Sequence, residues 1–133
     1  MSTRDTILAA VATALSGVAG GRVYRSRREQ IPTLPAVIIE PISEDAEERA
    51  LSRMDRLLSV GVSVLAKGDT PDNAADATLA AAWAALYAAP DLGQGSDVQI
   101  DPRHTIEWDF EDYDYCRATL RVSVMYRTLP GGM

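Results

Sequence analysis

Cys116 to Arg127 reads CRATLRVSVMYR, and its alternation decides the fold. Cys116, Ala118, Leu120, Val122, Val124 and Tyr126 fall on one face of an extended chain. Arg117, Thr119, Arg121, Ser123, Met125 and Arg127 fall on the other. Successive side chains of a strand point to opposite faces, so this period of two predicts an antiparallel strand with one buried and one wet face. A second strand, from about Met54 to Ala66, carries the same signal. There Leu58, Val60, Val62, Val64 and Ala66 alternate with Ser59, Gly61, Ser63 and Leu65. Gly61 inside it marks a bulge or a close approach. Each strand runs about 12 residues, which at ~3.3 Å per residue reaches ~40 Å, more than a small core covers. The excess is expected to project toward neighbouring subunits.

Outward from these strands the period changes. Ile7, Leu8, Val11, Leu15 and Val18 recur at helical spacing after a capping-box-like Ser2 and Asp5, and Gly17, Gly20 and Gly21 follow. This predicts a helix over residues 3–17. Thr70, Pro71 and Asp72 make a helix start, and Leu79, Ala82, Trp83 and Leu86 make its buried stripe. Pro90 and Gly93 stop that second helix, read as 71–89. Of 20 alanines in the chain, 10 lie between Pro71 and Ala89, which favours helix and lets it approach a sheet closely. Arg22 to Arg28 reads as a short edge strand, where arginines discourage edge pairing. Ala36 to Ile42 is a strand whose far end Pro41 confines to an edge or to a point past the ladder. Ser43 to Arg49 (SEDAEER) reads as an acidic loop. Val98 and Ile100 suggest a short strand before Pro102, and Thr105 to Glu111 a longer one leading into a turn at 111–114. The expected order is α-β-β-β-α-β-β. It forms an α+β fold with a mixed, mostly antiparallel sheet and two helices packed on one face. One domain spans 1–129, with a short tail at 130–133.

Composition narrows the function. The 133 residues suit a single core, and 47% hydrophobic with 24% charged residues excludes disorder throughout. A net charge of −6 argues against non-specific nucleic-acid binding, which calls for a basic surface. One cysteine, Cys116, excludes an internal disulfide framework and a multi-cysteine metal site. The longest apolar run, Leu79 to Ala89, is far short of the ~20 residues of a membrane span, and no targeting segment is visible. A cytoplasmic site of synthesis is expected.

Enzyme chemistry finds little support. Cys116 alternates onto the apolar face, and His104 beside Pro102 and Arg103 reads as part of a turn. Neither has neighbours that suggest a triad. Gly93-Gln94-Gly95 lacks a third glycine and follows no strand. Glu107, Asp109, Glu111, Asp112 and Asp114 lack the spacing and central glycine of a calcium loop. No catalytic residue, metal ligand or cofactor is expected. The charge is instead segregated. Arginines gather at 22–28 and 117–127, acids at 44–48 and 107–114. Glu107, Asp109 and Glu111 are placed to lie across from Arg117 and Arg121 within one subunit. The basic segment then wants an external partner, which the acidic segment of a neighbouring copy supplies. The expected interface set is Arg22, Arg25, Arg27, Arg28, Glu44, Asp45, Glu47, Glu48, Arg53, Tyr113 and Tyr115.

The arrangement also resembles the tail-terminator proteins of long-tailed phages, of the lambda minor tail protein U type. The features in order are the N-terminal amphipathic helix, Leu34-Pro35-Ala36-Val37 leading into a strand, the acidic stretch Glu44 to Glu48 and the strand Leu58 to Ala66. A Trp-containing helix, Pro90 with Leu92, the segment Trp108 to Tyr115 with Tyr113-Asp114-Tyr115, and the strand Ala118 to Tyr126 follow. The resemblance covers nearly the whole chain, but its motifs are short and assign no interface residue. It implies an α+β protein forming a hexameric ring on the head-proximal end of the tail tube. Its partners would be itself, the major tail tube protein and a head-completion or neck protein, with DNA passing through the ring and no sequence-specific binding or membrane contact. The place implied is the virion. Two other readings stay open: a neck or head-completion connector of similar plan, and a small cytoplasmic ligand-binding or enzymatic α+β domain.

Overall fold

The computed structural model describes residues 2–26, 33–49, 52–95, 97–112, 114–129 and 131–132, with Glu111 and Asp112 described by their backbone alone. Five strands and two helices follow in the order α1 (Thr3–Ala14), β1 (Val23–Arg25), β2 (Ala36–Arg49), β3 (Arg53–Lys67), α2 (Pro71–Tyr87), β4 (Val98–Asp112) and β5 (Tyr115–Thr128). A 3-10 turn at Val18–Gly21 follows α1. The strands make one sheet in the order β1-β2-β3-β5-β4. β1 runs parallel to β2, and every other neighbour is antiparallel. The α+β class, the mixed sheet and the element order are as the sequence predicts.

Both helices cover the same face of the sheet. Ile7, Leu8, Val11 and Leu15 from α1, and Ala75, Leu79, Ala82 and Leu86 from α2, share one core with the inward rows of β2, β3 and β5. The other face is largely polar, with a small apolar cluster of Ala36, Ile38 and Leu65 packed by Tyr24, Leu34 and Tyr115. Ser2 caps α1, its hydroxyl accepting from the Asp5 backbone N–H at 3.1 Å. The helix ends at Ala14, short of the expected 17, as the chain tightens toward the 3-10 turn and takes positive φ at Ala19, Gly20 and Gly21. Thr70 precedes α2 without a side-chain cap bond, and α2 ends at Tyr87.

Two expectations about strands are corrected. Ser43 to Arg49 is no loop: β2 continues to Arg49 and pairs with β3 down to Arg49 opposite Arg53. Pro41 is tolerated because β1 covers only Val37 to Ile39, leaving the rest of β2 as an edge among the described residues, and because a bulge lies between Pro41 and Ser43. The two segments around Pro102 are likewise one strand, β4. Its irregularity sits between Ile100, opposite Val124, and His104, opposite Val122. Asp101 staples that bulge by accepting from the Arg103 backbone N–H at 2.9 Å and pairing with its guanidinium at 2.9 Å. These hydrogen bonds from Arg103 hold the Asp101 carboxyl below its ordinary range. The long strands are real, but β3 and β5 pair with each other from Met54–Thr128 to Lys67–Tyr115. Their excess length is therefore a broad sheet face, not a free arm.

Candidate subunit interface

The bulge in β2 decides where its acids point. Before it, Val37 and Ile39 face the helices, opposite Val64 and Val62. The extra residue shifts the phase, so Glu44 lands opposite Leu58 on the helix side. There it meets Arg4 of α1 at 2.8 Å, Arg56 of β3 at 3.1 Å and the hydroxyl of Tyr126, which donates to it. Arg56 is only 9% exposed and also donates to the Thr128 hydroxyl and the Gly132 carbonyl. Burial alone would raise the Glu44 pKa. The hydrogen bonds from Arg4, Tyr126 and Arg56 outweigh it and hold the carboxyl below the usual range. Arg4 is held above its ordinary value by the bonds to Glu44 and Tyr126. Burial, then the bond to Glu44, raises the Tyr126 phenol. Glu44, expected at a contact with a neighbouring copy, thus has three partners within its own chain.

The bulge residue Ile42 lies over Gly61 on the opposite face, its Cδ1 3.1 Å from where a Cβ would stand. The close approach foreseen at Gly61 is thus made by a side chain. On the same face Arg117 reaches Glu40 at 3.3 Å and the Ser63 hydroxyl at 3.4 Å.

The remaining expected interface residues are scattered. Asp45, Glu47, Glu48 and Arg53 are exposed along the β2–β3 hairpin. Asp45 and Glu47 line a groove of about 530 Å³ with Asp55, Leu57, Gln99 and Met125. Asp55 is held there by both Arg49 at 3.1 Å and Arg127 at 2.9 Å. Arg22 donates to the Pro35 carbonyl at 2.9 Å, and Arg25 lies 3.7 Å from Asp5 of α1. Tyr115 is half-buried beside the small apolar cluster. Arg27, Arg28 and Tyr113 lie outside the described residues.

Asp109 stands opposite Arg117 and Thr105 opposite Arg121, with Glu107 opposite Thr119. The expected cross-strand face is formed in register, but Arg117 turns the other way, to Glu40. Among the described residues, Glu107 and Asp109 make no ion pair. On the opposite side of β4, His104 stacks on Trp83 at 4.0 Å, and Trp83 meets Tyr87 at 5.9 Å. His104 sits in the strand, not in a turn. Ile106 and Trp108 face the same way, opposite buried Leu120 and Ala118, and Phe110 follows by alternation. They remain 41%, 42% and 58% exposed, and Tyr87 65%. This row was missing from the expected interface. Its alternation was visible in the sequence, but not that α2 stops short of covering β4.

Cys116 is fully buried on the helix side, and burial raises its thiol. Among the described residues no group of three His, Cys, Asp or Glu could hold a metal ion, and no helix is long and apolar enough to cross a membrane.

No family model matches the sequence, and no curated protein matches it. Among solved structures, the chain is similar to a protein of the virion of a native gene transfer agent particle. The likeness is one of fold. The TM-score is 0.66 at 20% sequence identity, over 92% of this chain and 95% of that one.

Proposed function

We propose that this chain is a structural virion protein that forms a ring on the head-proximal end of a phage-type tail tube. The ring stops tube polymerisation and offers the surface to which the head joins. The observation that carries the reading is the end-to-end fold likeness to a gene transfer agent virion protein. It agrees in kind with the family that the sequence order resembles. The molecule's surface supports it. Among the described residues β1 and β4 are the outer strands of the sheet, and β4 displays a row of large apolar side chains on one face and, on the other, acids without an ion pair. A head-to-tail contact between unlike edges closes into a ring when its rotation closes. Capping then needs no bond chemistry, only one ring face that fits a tube end and another that admits no further tube ring.

The test is length control. Purified tail tube protein polymerised with and without this chain is compared by negative-stain microscopy. The expected result is shorter tubes, ring density at one end and co-sedimentation of the chain with tubes. Tubes of unchanged length without bound chain overturn the reading.

A further inference from the structure

We infer that the acidic, aromatic β4 edge of one copy receives the basic β1 edge of the next; this deepens the ring reading above and rests on it. The two are the outer strands of the sheet, so among the described residues each carries a row of backbone donors and acceptors with no ladder partner. Register places them at the same height. Arg25 is level with Ile39, Val62, Leu120 and Ile106, and Tyr24 with Ile38, Ser63, Thr119 and Glu107. Asp109 falls two residues beyond Glu107 on the same face, level with the position that Arg22 occupies beside β2. β1 and β4 also run in opposite directions, so a side-by-side junction is antiparallel, the slightly stronger ladder.

Charge selects the occupant. β4 presents Glu107 and Asp109 without an ion pair among the described residues, and the β1 edge brings Arg22 level with Asp109 on that face, while Arg25 stands on the helix face in the row of Ile106. Arginine suits both halves of the contact, because its planar fork pairs with carboxylates and stacks on aromatic faces such as that of Trp108. Area agrees with the need for a partner. Taking ~200 Å² per side chain, Ile106, Trp108, Phe110 and Tyr87 expose roughly 400 Å², about half of one partner's share in a standard interface. The charged rim and the strand backbone supply the rest. A second copy of this chain meets all three conditions with a heterologous contact, the kind that a ring requires.

Two variants test it: Glu107→Arg with Asp109→Arg, and Arg22→Glu. Circular dichroism confirms that each folds. Sedimentation velocity over a concentration series then reads self-association. Each variant alone is expected to weaken it by at least about tenfold in Kd, because like charges now meet across the contact. An equimolar mixture of the two is expected to recover assembly, since each junction again joins opposite signs. Trp108→Ala should weaken assembly without altering the fold. Variants that associate like the wild type, a mixture that does not recover, or a wild-type chain that stays monomeric throughout would each overturn the proposal. If the wild type is monomeric and Trp108→Ala instead loses tube binding, the β4 row belongs to another protein. Tube-length control is measured separately, so the capping reading can survive any of these failures.

Discussion

Replacing Glu44 by Gln keeps the side chain's size and removes its charge. Arg56 would then be a 9%-exposed guanidinium whose remaining bonds go to neutral oxygens of Thr128 and Gly132. Breaking a buried pair by removing one partner typically costs 3–5 kcal/mol, because the other charge stays desolvated. The Glu44 side chain is 13% exposed and Arg4 28%, so water reaches part of the cluster and the loss falls at the low end, about 3 kcal/mol. For a chain of this size that lowers Tm by about 10 °C. Urea unfolding at one fixed protein concentration, followed by circular dichroism, gives the difference directly, with Asp45→Asn as the exposed control within about 0.5 kcal/mol of wild type. The pH dependence adds a second reading. Because the Glu44 carboxyl is held below its usual range, its contribution is complete above the unfolded value of about 4.3. It disappears as pH falls through that value toward the folded one. The gap between wild type and Glu44→Gln must therefore narrow in acid. A loss under about 1 kcal/mol at pH 7, or a gap that does not change with pH, refutes the reasoning.

Two further predictions are independent of the cluster. Gly61→Val drives a branched side chain into Ile42 and should cost about 1–2 kcal/mol by overpacking. In an Ile42→Ala background that cost should largely vanish, and a double-mutant cycle by urea unfolding measures the coupling. Cys116 is buried and its thiol raised, so a thiol reagent at pH 7 should label it only at the rate of unfolding. Rapid labelling of the folded chain would contradict its placement on the core face.

The fold was legible where burial follows a short period. Val60, Val62 and Val64 announce β3 because each alternate residue meets the same core, and Leu79, Ala82 and Leu86 announce α2 for the same reason. Legibility failed where the period breaks. SEDAEER looks like a loop because Glu44 is a carboxylate, yet it is inward-facing. The bulge at Ile42 shifts the alternation, and the partners that make its burial tolerable, Arg4 and Arg56, lie 40 and 12 residues away. No local window contains both. Pro102 likewise suggests a strand break, whereas Asp101 turns its neighbours into a bulge within β4. At the candidate interface the charges of Arg25, Glu107 and Asp109 could be read from the sequence. That β1 and β4 are the two edges, at the same height, is a property of the strand order, which no single strand encodes.

The buried cluster has a kinetic consequence. Arg4, Glu44, Arg56, Tyr126 and Gly132 span almost the whole chain, and apart from the Arg56–Glu44 pair within the β2–β3 hairpin their contacts join residues 40 to 82 apart. Contacts of such separation carry the largest loop-closure cost and tend to form after the folding transition state. Interactions absent from that state slow unfolding without speeding folding. The cluster thus acts as a latch on the escape route from the native state. It prolongs the life of the folded chain, a rate that the equilibrium stability alone does not report.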